Sequence, residues 1–308
     1  MLAQLKLVSL ALNPMAPSPT ATMVRIDNGL MQAFGGTFCI SVPVGIELGC
    51  CFNPSAVSTF FRKKREAVAY TIQKKKLVLQ EGKEKLSVPC LPPEEMVTLD
   101  VLGKAVRGEL DTTHLRSLHD VINPANSRIW AQGVSFRYGM MEATNNAVVI
   151  SAISNLDDDL EFNLPVDAVR ALMAFKSKMV SVICDGRAVK FCFEDGSSLC
   201  SLSIDGQMPD TSQFFDGEWV ALKLKEDLLT VACDTVTFDK GTVRYKQESL
   251  FGEIEGVCSK QVSVSAYKKS LDPLLKVSTD IHVSEDGFRL MAIHDTCRAI
   301  CPTLAYKS

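Results

Sequence analysis

The densest set of potential cation ligands in this sequence is Asp157-Asp158-Asp159. Adjacent carboxylates can supply the oxygen ligands that hard divalent ions take. Here they lie between two strand-like runs, where such a charge run reads as a solvated loop. His114 and His119 are near neighbours among the 4 histidines. They share one helix face only loosely, and no acidic residue accompanies them at metal-ligand spacing. The 11 cysteines are odd in number, contain no CxxC and fit neither a disulfide framework nor a zinc site. They read as buried free thiols of a reducing cytoplasm. No GxSxG, Walker A loop, HExxH or GxGxxG occurs. Gly35-Gly36 is a turn signal, not a phosphate cradle. Catalysis, metals and cofactors therefore have no motif to rest on, and binding becomes the chemistry to look for.

Basic residues are the next group with a spacing. Arg62, Lys63, Lys64 and Arg65 follow Pro54, and Arg170, Lys176 and Lys178 follow Pro165. Lys268, Lys269 and Lys276 occupy a third helical stretch, and Arg116 lies on a fourth. Each stretch alone reads as a solvated helix face. With a net charge of −3, the chain is not basic over its whole surface, but its positive charge can be confined to one face. Arg128 and Trp130 stand together in "PANSRIWAQG", where Trp130 by itself reads as a core or junction aromatic.

The elements that carry these residues recur. "FNLPVDAVRALMAF" (162–175) reads as a strand, a turn and an apolar-striped helix. The same order appears in "GCCFNPSAVSTFFRKKRE" (49–66) and in "KQVSVSAYKKSLDPLLKV" (260–277), about 100 to 110 residues apart. Strand runs with Glu81-Gly82, Asp185-Gly186, Asp195-Gly196 and Asp286-Gly287 turns follow the copies. Further strands with a Gly-containing turn precede each copy. Ahead of those, helices are expected over Met1–Leu12 and Thr112–Ile122, with Leu224–Cys233 either helix or partly strand. The fold class expected is α+β, with three tandem repeats spanning 1–98, 99–210 and 211–308. Each repeat holds two helices and two small antiparallel sheets. The 308 residues, 46% hydrophobic and 22% charged, suit soluble globular domains. No run approaches the eighteen or so apolar residues of a membrane span. The N-terminus lacks a basic region before its apolar part, and it reads as an amphipathic helix, not a signal peptide.

This organisation resembles the bacterial-type DNA polymerase sliding clamp, the β subunit of DNA polymerase III, most specifically through "GVSFRYGMMEATNNAVVI", "FNLPVDAVRALMAF" and "FEDGSSLCSLSIDGQMPD". The chain is shorter than a typical bacterial clamp, and its end reads Cys301-Pro302-Thr303-Leu304 where the family has a Met-Pro-x-Arg-Leu-like tail. A divergent or phage-encoded member fits. The resemblance implies a three-domain crescent that closes with a second protomer, head to tail, into a ring around duplex DNA. It implies a cytoplasmic processivity factor, without enzymatic activity or cofactor, that tethers the polymerase and meets the clamp loader through clamp-binding peptides. Under this reading the basic residues named above line the hole and touch phosphates without reading sequence. Arg128 and Trp130 belong to a DNA-touching loop. The implied peptide groove comprises Ala131, Thr144, Asn146, Val149, Pro209, Phe214, Ala299, Cys301 and Pro302. Ring closure falls to sheet edges around Lys74–Val88 and Val243–Val257. A repeat-built scaffold that never touches DNA is the alternative.

Overall fold

The computed structural model describes residues 1–63, 68–103, 105–223, 232–239, 242–247, 250–255, 257–258 and 263–304. These form two compact units. One comprises Met1–Leu110 and Asp167–Ser203, the other Asp111–Val166 and Ile204–Ser308.

In the first unit the strands are β1 (Val24–Asp27), β2 (Leu30–Phe34), β3 (Phe38–Pro43), β4 (Cys50–Phe52), β5 (Ala69–Gln73), β6 (Lys76–Glu81), β7 (Glu84–Leu91) and β8 (Ala105–Arg107). The second unit begins with β9 (Gly133–Arg137), β10 (Met140–Thr144), β11 (Val149–Ile153) and β12 (Phe162–Pro165). The chain then returns to the first unit for β13 (Met179–Cys184), β14 (Ala188–Phe193) and β15 (Ser198–Leu202). The second unit finishes with β16 (Trp219–Lys223), β17 (Thr235–Asp239), β18 (Thr242–Gln247), β19 (Leu250–Glu255), β20 (Val257–Cys258), β21 (Ser263–Tyr267), β22 (Asp280–Ser284), β23 (Arg289–His294) and β24 (Cys297–Pro302). All the ladders are antiparallel.

One strand order occurs three times. A three-strand meander is followed by a strand that returns to pair with the meander's first member. This gives β4-β1-β2-β3, β12-β9-β10-β11 and β21-β17-β18-β19. The registers repeat too, with Gln32 opposite Ser41 in one copy and Glu142 opposite Ser151 in the next. The first hairpin turns on Asn28-Gly29 (φ 50° and 74°) and its counterpart on Tyr138-Gly139 (φ 51° and 68°). Positive φ at both central residues is the two-residue turn that matches strand twist. A second motif also repeats: β15 pairs with β3, and β24 pairs with β11. Because these ladders fuse strands distant in sequence, the compact units cut across the tandem spans.

Each returning strand runs into a helix: α2 (Pro54–Arg62) after β4, α4 (Val166–Leu172) after β12, and α6 (Lys268–Val277) after β21. The Asn53 side chain caps α2 by accepting from the Ser55 amide at 3.0 Å, and Pro54 occupies the first turn, where its missing N–H is not needed. The third corner differs, since its Pro273 lies inside α6 instead of at the helix start. Helices α1 (Leu2–Val8) and α3 (Leu115–Val121) agree with the expected Met1–Leu12 and Thr112–Ile122. Of the span 224–233, residues 224–231 lie outside the described residues, and "WVALK" just before it is the strand β16. A short helix, α5 (Ser212–Phe215), precedes β16.

Apolar residues at helical spacing bury one face of each helix: Val57 and Phe61 on α2, Leu115, Leu118 and Val121 on α3, and Leu271, Leu274 and Leu275 on α6. Each such side chain contributes roughly 1.5–3 kcal/mol on burial. Gly35 permits a close approach of the turn that follows α1, because a Cβ there would lie 2.1 Å from the Ala11 carbonyl oxygen.

Candidate functional site

In the second unit, a groove of about 380 Å³ is walled by residues from five places in the sequence. Arg128 and Trp130 come from the turn ahead of β9, and Thr144, Asn146, Ala147 and Val149 from the β10–β11 turn. Met208, Pro209, Thr211 and Phe214 lie on the segment through α5, Arg289 begins β23, and Ile300, Cys301 and Pro302 end β24. Most of this lining is apolar, which suits insertion of an apolar side chain.

Local hydrogen bonds fix the walls. The Thr144 hydroxyl donates to the Val148 carbonyl at 2.7 Å and accepts from the Asn146 amide at 3.0 Å. Asn145 Oδ1 accepts from the amides of Ala147 and Val148. Asn146 sits at φ 74°, a conformation that asparagine tolerates better than most residues. The opposite wall is held from behind by a buried ion pair. Arg137 Nη2 lies 2.9 Å from Glu142 Oε2, with the two side chains 13% and 9% exposed. The same guanidinium donates to the Met208 carbonyl at 2.6 Å and to the Pro209 carbonyl at 2.7 Å. Glu142 also accepts from the Thr211 hydroxyl. Arg289 donates to the Phe214 carbonyl at 2.9 Å and stacks its guanidinium over Trp219. Burial pushes the Cys301 thiol up to about 12, so it remains a neutral, apolar part of the lining.

Seven of the nine groove residues expected from the sequence line this cavity: Thr144, Asn146, Val149, Pro209, Phe214, Cys301 and Pro302. Ala131 and Ala299 do not. They are 1% and 0% exposed and belong to the core beneath. Arg128 and Trp130, expected in a DNA-touching loop, stand on the groove wall. Sequence reading missed Ala147, Met208, Thr211, Arg289 and Ile300. Met208 and Thr211 flank the recognised Pro209, so that motif could have indicated them, but Arg289 reaches the groove only through the β22–β23 hairpin.

At the equivalent hairpin position of the first unit, Phe34 stands opposite Cys39 as Thr144 stands opposite Val149. Phe34 packs there against Cys39, Val101, Ala188 and Cys200. The large Phe34 ring stands at the register position that Thr144 holds in the second copy.

The basic residues are less uniform than their spacing suggested. Arg62 ends α2 exposed, and Lys63 beside it pairs with Glu84 at 3.4 Å. Lys64 and Arg65 lie outside the described residues. Arg116 and Lys276 both reach Asp120, at 3.3 and 3.0 Å, which links α3 to α6. Burial alone would raise the Asp120 carboxyl, but hydrogen bonds from Lys276 and His119 and the nearby positive charges hold it below its usual range. Arg170 pairs with Asp167 at 2.5 Å, and Lys178 with Glu109 at 2.9 Å. The Glu109 hydrogen bond raises the Lys178 ammonium pKa. Lys176 and Lys269 are exposed, with Lys269 over the Tyr267 ring. Lys268 is a correction: it is 6% exposed and bound to Asp272, so its ammonium is committed inside the protein. Acidic residues are thus interleaved with the basic ones on these helices.

The ring-edge expectation is also refined. In the span 74–88 both β6 and β7 lie inside their sheet, β7 meeting β4 only through Cys90 and Leu91, and β5 is the outer strand; in the span 243–257 β19 is the outer strand of the four-stranded sheet.

No family model and no curated protein matches the sequence. Solved structures match along 99% of it and along 97% of their own chains. One is the DNA polymerase sliding clamp from Bacillus subtilis, at 15% identity and a TM-score of 0.82. This chain has the sliding-clamp fold. The Helicobacter pylori β clamp bound to a DNA ligase peptide matches at 13% identity and a TM-score of 0.82. The Pseudomonas aeruginosa sliding clamp bound to griselimycin matches at 10% and 0.81. At such identities the backbone is common while most side chains differ, so the groove and helix faces of this chain carry a chemistry of their own.

Proposed function

We propose that this chain is a DNA sliding clamp, a processivity factor that closes with a second copy into a ring around duplex DNA and tethers a polymerase and other DNA-processing proteins through the groove. The observation that carries this reading is the clamp fold along nearly the whole chain, coupled with an apolar groove at the end of β24. The function is scaffolding, with no reacting group required. In this reading three tandem domains span 1–98, 99–210 and 211–308.

Strand order supports head-to-tail closure. β15 and β24 each pair with the last meander strand of the preceding repeat. By the same rule β7, their counterpart in the first repeat, which meets β4 only through Cys90 and Leu91, pairs along the rest of that side with the free edge of β19 from a second copy. Exposed cations on the helices (Arg62, Arg116, Lys269 and Lys276) and just beyond the ends of α2 and α4 (Lys63 and Lys176) would contact phosphates without sequence preference. Topology, not tight contact, then retains the ring.

The test is solution mass together with retention. The expected results are a dimer near twice 33.7 kDa and protein that stays on a nicked circular plasmid but is released when the plasmid is linearised. A monomer held equally by both DNA forms would sink the reading. The scaffold alternative draws on the carboxylates beside Arg116, Arg170, Lys178 and Lys276, and it predicts peptide binding with no retention on DNA.

A further inference from the structure

Each of the helices α2, α4 and α6 leads into a three-strand meander: β5-β6-β7, β13-β14-β15 and β22-β23-β24. In two of the three the first strand is covered by a further antiparallel strand, β13 by β8 and β22 by β16. Under those covers Val182, Ile281 and Val283 are 0% exposed. β5 has no such cover and ends its sheet. Its Ile72 is 42% exposed, although it stands opposite the buried Leu77 of β6.

The open side of β5 also lacks the features that protect a free edge, such as shortness, proline or charge. The other outer strands each have a protection. β8 and β20 hold three and two residues, and β12 ends in Pro165. β19 carries Glu253 and Glu255, and β21 is bridged at Ser265 to Leu304. β5 reads "AYTIQ", five residues with no charge and no proline, and Tyr70, Thr71 and Ile72 are of strand-favouring types. Lys74 and Lys75 make the two-residue turn into β6, at φ 49° and 62°, and Gln73 stands opposite Lys76 across it. The pair that closes such a turn exchanges backbone hydrogen bonds. Alternation along the ladder then leaves the N–H and C=O groups of Tyr70 and Ile72 on the open side.

Charge decides what such an edge accepts. Lys74, Lys75 and Lys76 are exposed, and no carboxylate among the described residues pairs with them. In the sequence, Arg-Lys-Lys-Arg at 62–65 precedes β5, so cations flank the strand on both sides. Antiparallel pairing of β5 with its own copy would set these cationic runs against each other, whereas an acidic chain complements them. We propose that β5 is a docking edge for an extended, acidic segment of a partner protein, which adds as an antiparallel strand in the position that β8 and β16 occupy in the other repeats. Backbone hydrogen bonds to Tyr70 and Ile72 hold the added strand. One of its apolar side chains covers Ile72, and carboxylates at its end meet the Lys74–Lys76 turn. The edge belongs to the first unit and the groove to the second, so neither depends on the other.

The experiment uses fluorescence anisotropy on the full chain with three labelled nonapeptides. The first is Glu-Glu-Thr-Val-Thr-Val-Thr-Glu-Glu, the second has Lys for every Glu, and the third is the first with its five central backbone nitrogens methylated. The Glu peptide should bind at least about tenfold more tightly than either of the others, and its affinity should fall as salt rises. Its binding should slow hydrogen exchange in the segment 68–76 by about tenfold or more. Ile72→Pro, which removes one N–H from the open side, should weaken the Glu peptide about tenfold, with a thermal melt to check folding. The triple variant Lys74→Gln, Lys75→Gln, Lys76→Gln should abolish the preference of the Glu over the Lys peptide. Absence of binding by the Glu peptide overturns the proposal. So does binding that survives methylation, because lysines alone would then be holding any polyanion. If exchange in 68–76 instead slows with protein concentration and no peptide, the edge belongs to a second copy and the proposal falls.

Discussion

Arg137 holds Glu142 at 2.9 Å across the β9–β10 hairpin, and the same guanidinium holds the backbone of Met208 and Pro209 on the groove wall. One buried ion pair therefore joins the central sheet of the second unit to the segment that shapes its groove. Removing one partner leaves the other charge buried and uncompensated. Arg137→Met should cost on the order of 3 kcal/mol in urea unfolding, at the lower end for buried pairs because part of the arginine still meets solvent. The double variant Arg137→Met, Glu142→Met should recover part of that loss. A single-variant cost under about 1 kcal/mol would show that the pair does not anchor the wall.

The contrast between Thr144 and Phe34 suggests a way to close the groove. Thr144→Phe should place a ring where Phe34 fills the first unit, and it should lower affinity for a Leu-Phe peptide more than tenfold in anisotropy. Stability in thermal unfolding should fall by about 1–3 kcal/mol, because the hydroxyl's bonds to Val148 and Asn146 are lost, and by more if the ring overpacks the core. Unchanged peptide affinity would remove Thr144 from the groove wall.

Phe214 is 42% exposed on the groove, so its ring contributes little to folding. Phe214→Ala should leave stability within about 1 kcal/mol while weakening peptide binding about tenfold or more, as for an interface anchor. Paired urea melts and anisotropy titrations separate the two effects.

Salt dependence of DNA binding can sort the basic residues. Arg62→Ala and Lys176→Ala should each reduce the slope of log K against log salt by about 0.9 if the residue neutralises a phosphate. Lys268→Ala should leave that slope unchanged and lower stability instead, on the order of 1 kcal/mol, because its ammonium is bound to Asp272. Equal slopes for all three variants would remove the helix faces from the DNA contact.

His114 gives the protein an acid-sensitive element. Burial, reinforced by the nearby His294, lowers its pKa against the opposing pull of Asp111 and Asp295. Below about pH 6.5 the unfolded chain takes a proton that folded His114 resists, so stability present above that pH is lost as pH falls. Replacing it by Gln should flatten the stability profile below about pH 6.5, followed by urea midpoint at each pH. A profile that keeps its slope would place the acid sensitivity elsewhere.

The sequence by itself determined the repeated elements. Apolar residues at 3–4 spacing marked α1 to α3. Glu-Gly and Asp-Gly pairs marked hairpins, because glycine reaches positive φ without steric cost, and Pro54 marked a helix start. It also identified most of the groove, since Pro209 and Pro302 lie in short recognisable phrases. Only the tertiary structure decided the rest. Whether a lysine is a contact or a committed ion depends on which carboxylate the fold brings beside it, as Asp120 is brought to Lys276 and Glu109 to Lys178. Arg289 meets Phe214, and Arg137 meets Met208, across about 70 residues of chain. Periodicity records local geometry, and such pairings depend on sheet register and on which repeat a strand joins.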